Sequence, residues 1–236
     1  MKRFLSFYWL LRISIALMVL VIAIGIHVLL NDAKFMPLKN IEIDATYQHV
    51  KPKVIARIVE PYIQNQGLFS ANVTGLKQAL LTQPWIDKVV VRRIWPGTLS
   101  IEITEQRPIA RWNNHDLLNA QAEVFTPAKL ITFTDLPQLM GPEGQQQLVL
   151  QQWQQINTLL APLTLNVKEL DLNQRHAWRA VLNDNTVLVL GKNDVLTRVN
   201  NFVTAYPKIF SPPVRLPKTI DLRYENGLAV RWSSNS

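Results

Sequence analysis

The chain has 236 residues, with 25 lysines and arginines against 17 acidic residues and no cysteine. Its length allows two small domains beside a targeting segment. The missing cysteines exclude a disulfide framework and a thiolate metal site, and the charge of +8 is too dispersed for a nucleic-acid footprint. At the start, Lys2, Arg3 and Arg12 precede or open an uncharged run over residues 13–30. About 20 residues rising ~1.5 Å each match the ~30 Å hydrocarbon core of a bilayer, and a helix satisfies its own backbone there. The run predicts a transmembrane helix over residues 13–30. Residues 1–12 become a short cytoplasmic segment, because basic residues stay on the cytoplasmic side. A cleaved signal peptide would carry a shorter apolar region and a small-x-small site, and Leu29-Leu30-Asn31-Asp32-Ala33-Lys34 offers none. Tyr8 and Trp9 suit the interfacial zone. His27, one turn from the outer end, reaches interfacial water. Residues 31–236 are expected outside the cytoplasm. Taking the three leading cations from the 25 leaves 22 against 17 acids, a net +5 that favours an acidic partner or anionic head groups.

Residues 31–105 read as a linker and a strand, helix, helix, strand, strand module. Ile41 and Ile43 alternate with Asn40, Glu42 and Asp44, as a half-buried strand requires. Val54, Ile55, Ile58, Val59 and Tyr62 recur at helical spacing, and Pro61 is expected to end or kink that helix. Ser70 or Asn72 caps a second helix with Val73, Leu76, Leu80 and Leu81 on its buried side, closed by Pro84. Residues 86–95 then lead through Pro96-Gly97 into a strand where Leu99, Ile101 and Ile103 alternate with polar residues. Proline presets the first torsion of such a turn, and glycine accepts the left-handed one.

Residues 106–236 form a second domain, mostly strands with two helices. Val149, Trp153, Ile156, Leu160 and Leu163 alternate in steps of four and three. Two heptads are too few for a coiled coil, so a glutamine-faced helix laid on a sheet is the reading. Residues 178–182 and 187–190 flank Asn183-Asp184-Asn185 as a hairpin. Val195, Val199, Phe202, Val203 and Tyr206 mark a helix stopped by Pro207. Finally Ile220, Leu222 and Tyr224 alternate with Asp221 and Arg223, and Asn226-Gly227 turns the chain into a last strand over residues 228–232.

Several stretches, in order and at plausible spacing, resemble the FtsQ/DivIB family of bacterial cell-division proteins. They are Pro84-Trp85-Ile86, Val89-Val90-Val91-Arg92, Trp95-Pro96, and Pro108-Ile109-Ala110-Arg111-Trp112-Asn113. Gly141-Pro142-Glu143-Gly144, residues 198–207, and Asp221-Leu222-Arg223-Tyr224 with Gly227 and Trp232 complete the set. The resemblance implies an α+β protein: one transmembrane helix, a POTRA domain of β-α-α-β-β order, then a mainly antiparallel β domain with two helices. The chain departs from the family in its very short cytoplasmic segment and in Pro61.

The residues themselves offer no catalytic set. His49, His115 and His176 stand without a His-Glu-x-x-His or Gly-x-Ser-x-Gly pattern. Glu102 and Glu105 lie three apart on a strand and point to opposite faces, so they cannot flank one glycosidic bond. Neither a metal nor a cofactor is expected. The resemblance implies a non-enzymatic scaffold, single-pass in the inner membrane and mostly periplasmic, at the division septum. There it would recruit FtsB and FtsL through the C-terminal domain, and other division proteins through the POTRA domain and membrane helix. The contact segment it implies is Arg223, Tyr224, Asn226, Gly227, Leu228, Ala229, Val230 and Trp232. An edge strand offers unpaired backbone groups to an incoming strand, and Arg, Tyr and Trp often dominate interface energy. Gly227 would let a second backbone approach. From the residues alone, Tyr224 and Trp232 could instead cap the domain core. Arg175, before the strand holding Trp178, is a further candidate for an ion pair with an acidic partner. Two alternatives are another POTRA-bearing assembly or secretion factor, and a membrane-anchored cell-wall hydrolase.

Overall fold

The computed structural model describes residues 2–31, 36–128, 133–209, 217–224 and 227–232. The chain divides into two compact units, Met1–Gln106 and Arg107–Ser236. The first opens with helix α1 (Lys2–Asn31), of which the described side chains are those of Trp9 and residues 12–28. They are exposed, and most are isoleucine, leucine, valine or methionine. Among the described residues no helix is long and apolar enough to cross a membrane.

Strand β1 (Asn40–Ala45), helices α2 (Pro52–Ile63) and α3 (Val73–Leu81), and strands β2 (Ile86–Ile94) and β3 (Thr98–Glu105) come next. The three strands form one sheet in the order β1-β3-β2, parallel between β1 and β3 and antiparallel between β2 and β3. Leu99, Ile101 and Ile103 project from the central strand into a buried cluster with Ile55, Val59, Leu76 and Leu80. That cluster is where the period-two strand pattern and the period-3.6 helix patterns meet. Asn72 caps α3, its Oδ1 accepting from the Gly75 amide at 2.9 Å. Ser70 belongs to the preceding turn instead, where its Oγ accepts from the Gly67 amide.

Two local expectations are corrected here. Pro61 does not end α2, which runs on to Ile63. A proline removes one intrahelical donor, and both Pro61 and the residue four before it, Arg57, are exposed, which leaves the released carbonyl within reach of solvent. The β2–β3 turn is also not the expected one. Trp95–Pro96 is a cis peptide, and Gly97 does not have positive φ. Glycine is required there by close approach. A Cβ at Gly97 would stand 2.8 Å from the carbonyl oxygen of Pro37, because the Gly97 carbonyl accepts from the amides of Lys39 (2.8 Å) and Asn40 (3.3 Å).

The second unit contains β4 (Pro108–Trp112), β5 (Asp116–Asn119), β6 (Val124–Phe125), β7 (Gln138–Met140), α4 (Gln146–Leu160), β8 (Val167–Leu172), β9 (Trp178–Leu182), β10 (Val187–Gly191), α5 (Val195–Ile209), β11 (Pro217–Asp221) and β12 (Ala229–Trp232). They build a nine-stranded sheet in the order β12-β11-β10-β9-β8-β7-β4-β5-β6. Antiparallel pairing runs through β4–β5–β6, β8–β9–β10 and β11–β12. The sheet is nonetheless mixed, since β7 pairs parallel with β4 and β8, and β10 with β11. The helices account for two of these parallel pairs, because α4 carries the chain from β7 to β8 and α5 from β10 to β11, and parallel neighbours need such a crossover. Helix α4 lies on the sheet through Val149, Leu150, Ile156 and Leu160, and its Trp153 indole donates to the Val167 carbonyl at 3.0 Å. Helix α5 is not stopped by Pro207 but continues through that exposed residue to Ile209.

Candidate functional site

Strand β12 forms one edge of the nine-stranded sheet. Its partner β11 aligns Asp221 with Ala229, Ile220 with Val230, and Thr219 with Arg231, with a shift before Pro217 meets Trp232. Leu228 and Val230 pack against the domain core. Ala229 and Arg231 are exposed, and the Arg231 guanidinium donates to the Thr219 hydroxyl at 3.2 Å. One side of the β12 backbone pairs with β11. Among the described residues, no strand pairs with its other side.

The chain that feeds this edge is shaped by a charged cluster. The alternation of Ile220, Leu222 and Tyr224 predicts a strand to residue 224, but β11 ends at Asp221. The cause is the Asp221 side chain, whose Oδ1 accepts from the Arg223 amide at 3.1 Å. A short acceptor side chain bonding two residues onward diverts backbone from a ladder. Leu222 still donates to the Val189 carbonyl and stays buried. The Arg223 guanidinium grips the same carboxylate, with Nε 2.9 Å from Oδ1 and Nη2 2.6 Å from Oδ2. That hydrogen bond, reinforced by the amide of Arg223 and the charges of Arg223 and Arg198, holds the Asp221 carboxyl below the usual range against the opposing effect of burial.

Arg198, on α5, completes the cluster by donating to the Leu190 carbonyl at 2.7 Å. Both arginines lie over Gly191, which has φ of +77°. A Cβ there would meet Arg198 Nη1 at 2.7 Å and Arg223 Cγ at 3.1 Å. Glycine is therefore needed twice at this position, for its torsion and for the room it leaves.

Tyr224 comes directly after and is 59% exposed. Beside it a groove of about 700 Å³ is walled by Arg198, Asn201 and Phe202 of α5 and by Leu222, Tyr224 and Leu228. Trp232, at the other end of β12, is 42% exposed. Gly227 has open space around it. Of the predicted residues, Ala229, Val230 and Trp232 lie in the edge strand β12, Gly227 and Leu228 come just before it, and Arg223 and Tyr224 come just after β11. Asn226 lies outside the described residues.

Arg175 is not part of that edge. It sits exposed in the β8–β9 turn, where Asn173 Oδ1 accepts from the amides of Arg175 and Ala177. The registers place that turn at the same end of the sheet as Gly191 and the start of β12. Three strand spacings of ~4.8 Å set β9 roughly 14 Å from β12. Among the described residues no group of histidines and carboxylates could hold a metal ion.

Comparison with known proteins gives this arrangement a lineage. The family model of the FtsQ-type POTRA domain matches residues 36–106. That of the C-terminal part of the cell division protein FtsQ/DivIB matches residues 110–223. The cell division protein FtsQ of Coxiella burnetii is 38% identical over 220 residues, covering 93% of this chain and 90% of the relative. The chain belongs to the FtsQ/DivIB family of cell-division proteins. FtsQ of Shewanella oneidensis is 36% identical over 88% of this chain and 78% of its own. FtsQ of Methylomonas methanica is 30% identical over 87% and 82%. The match to the C-terminal family model stops at Arg223, so Tyr224 and strand β12 lie just past it.

Arg198, Gly191, Asn201 and Phe202 are site residues that sequence reasoning missed. Residues 198–207 are among the stretches that carry the family resemblance, and this was the available signal. Helical spacing places Phe202 on a buried face, where it is, but nothing local shows that Arg198 bends toward the β10 end.

Proposed function

We propose that this member of the FtsQ/DivIB family is a non-catalytic scaffold of the division septum, in which residues 106–236 recruit and link FtsB and FtsL. The partner strand would add to the outer edge of β12, where Tyr224 and Trp232 close over it and Arg223 and Arg175 face acidic side chains. The observation that carries this reading is the open edge of β12 with Trp232 exposed on it, Tyr224 exposed after β11, and a groove beside Tyr224. Strand addition needs unpaired backbone groups, and the aromatics supply the specific energy.

Residues 1–12 would be cytoplasmic and residues 13–30 an uncleaved anchor in the inner membrane, leaving the rest periplasmic. The uncharged run over residues 13–30 of the sequence supports that topology, as does the cationic amino-terminal flank. Residues 31–105, linker and POTRA domain, would together with α1 engage other division proteins.

Photo-crosslinkers placed singly at positions 224, 227, 229 and 232 in dividing cells test the edge. FtsB should be captured from these positions and not from Glu143, on a different part of the domain. Capture from Glu143 with none from β12 would refute the assignment.

A further inference from the structure

The first residues of the POTRA domain are tied down at one end of its sheet. The Met36 carbonyl accepts from the Leu68 amide at 2.8 Å, Lys39 donates to the Gly97 carbonyl at 2.8 Å, and Pro37 bridges to Gly67. Two large aromatic side chains stand in solvent at this same end. Trp95, two residues from Gly97, is 72% exposed, and Phe69, next to Leu68, is 41% exposed. Ile94 is exposed beside them. They are held in place rather than loosely attached. Arg93 donates from Nε to the Leu68 carbonyl at 2.7 Å, and from Nη2 to the carbonyls of Ala71 at 3.0 Å and Phe69 at 3.5 Å. This clamp ties the turn bearing Phe69 to the end of β2, next to Trp95. Lys39 adds a second exposed cation.

Helix α1 ends at Asn31, five residues before Met36. Five residues reach at most ~18 Å when fully extended. If α1 is the anchor proposed above, on which this inference rests, the Met36 end cannot leave the vicinity of the bilayer. The opposite end, where Lys88 pairs with Thr104, is six residues along β2 from Ile94, or about 20 Å at ~3.3 Å per residue. Aromatic side chains with cations beside them are the composition that settles at the headgroup level. We propose that Trp95 and Phe69 seat the Met36 end of the POTRA domain in the headgroup layer of the membrane that α1 crosses, with Lys39 and Arg93 facing anionic lipid. The domain is then a second, peripheral foot that fixes how β2 stands over the bilayer.

The chain has no cysteine, so single-cysteine reporters are clean. Full-length protein carrying Asn40→Cys, at the Met36 end, or Lys88→Cys, at the far end, is labelled with an environment-sensitive dye. It is then reconstituted in phosphatidylethanolamine and phosphatidylglycerol vesicles containing headgroup spin-labelled lipid. Quenching at position 40 should exceed that at position 88 about threefold or more, since interfacial groups sit within ~5–10 Å of the headgroup boundary. Adding Trp95→Ser and Phe69→Ser to the Asn40→Cys protein should abolish the difference. Equal quenching at 40 and 88 in protein that resists alkaline carbonate extraction would overturn the proposal while leaving the anchor standing. Unchanged quenching in the double substitution would also overturn it, because the tether alone would then hold the domain down. Extraction of the protein by carbonate would overturn the anchor and the proposal together.

Discussion

Truncating Tyr224 separates an interface residue from a core residue, and the structure sets the size of the effect. A tyrosine side chain offers roughly 200 Å², and Tyr224 is 59% exposed in the free chain. Covering the remainder removes about 120 Å² from water, worth about 3 kcal/mol at ~25 cal/mol per Å². Ordering the side chain on binding returns about 1 kcal/mol, which leaves about 2 kcal/mol, or a roughly thirtyfold change in affinity. Tyr224→Ala should therefore weaken FtsB binding by more than tenfold in a titration with the exported part of FtsB. Its unfolding midpoint should barely move, since Tyr224 is largely exposed in the free chain. Tyr224→Phe should keep most of the affinity. If Tyr224→Ala stays folded by circular dichroism and binds within twofold of the parent, strand addition centred on this residue is wrong.

Proline at Ala229 and at Val230 should have different consequences, because adjacent residues of an edge strand direct their amides to opposite sides. The position facing outward should lose about 1 kcal/mol of FtsB affinity, while the other should show its loss in urea unfolding. Gly191→Ala should destabilise the C-terminal unit by about 2–4 kcal/mol, combining left-handed strain with displacement of a charged hydrogen-bond donor; an unchanged urea midpoint would contradict the close packing of Arg198 and Arg223. The Asp221 carboxyl is held below its ordinary range, chiefly by its hydrogen bond from Arg223. Its contribution to stability is therefore complete above the pKa of the unfolded chain and lost as pH falls through the lower, folded-state pKa. Thermal melts of the parent and Asp221→Asn should differ at pH 7 and converge in strong acid, and a gap that persists there would assign the effect to packing.

The strand–helix–helix–strand–strand order of the first unit was legible because each element has one buried face, and burial imposes a period. The final strand was legible for the same reason, with Leu228 and Val230 inward and Ala229 and Arg231 outward. Punctuation was harder to read. Pro61 and Pro207 signal helix ends only when the released carbonyl is buried, and exposure is a tertiary property. Gly97 looks like a torsional glycine in the sequence, but its necessity is the backbone of Pro37 lying against it, 60 residues away in the chain. The end of β11 was hidden for a related reason. Asp221 looks like the polar half of an alternating strand until its carboxylate is seen bonding the amide of Arg223. The arginine pair over Gly191 brings in Arg223 from 32 residues further along the chain, so no local pattern carries it.

An open edge strand is a hazard as well as a binding device, and the same residues decide which it becomes. A long, flat, apolar edge would pair with another copy of itself. β12 has four residues, which gives few backbone bonds to a second copy. Arg231 lies on its exposed face, and Arg223 and Arg198 stand near its start, Arg223 paired with Asp221. Two such edges brought together would set cation against cation, and opposed like charges across a strand pair are unfavourable. A strand carrying carboxylates meets the opposite situation, gaining attraction where the self-pair meets repulsion. The aromatics at each end add energy only to a chain that runs the full length between them. Shortness and positive charge thus oppose the homotypic pair, and under the proposed strand addition the same two properties would favour an acidic partner segment.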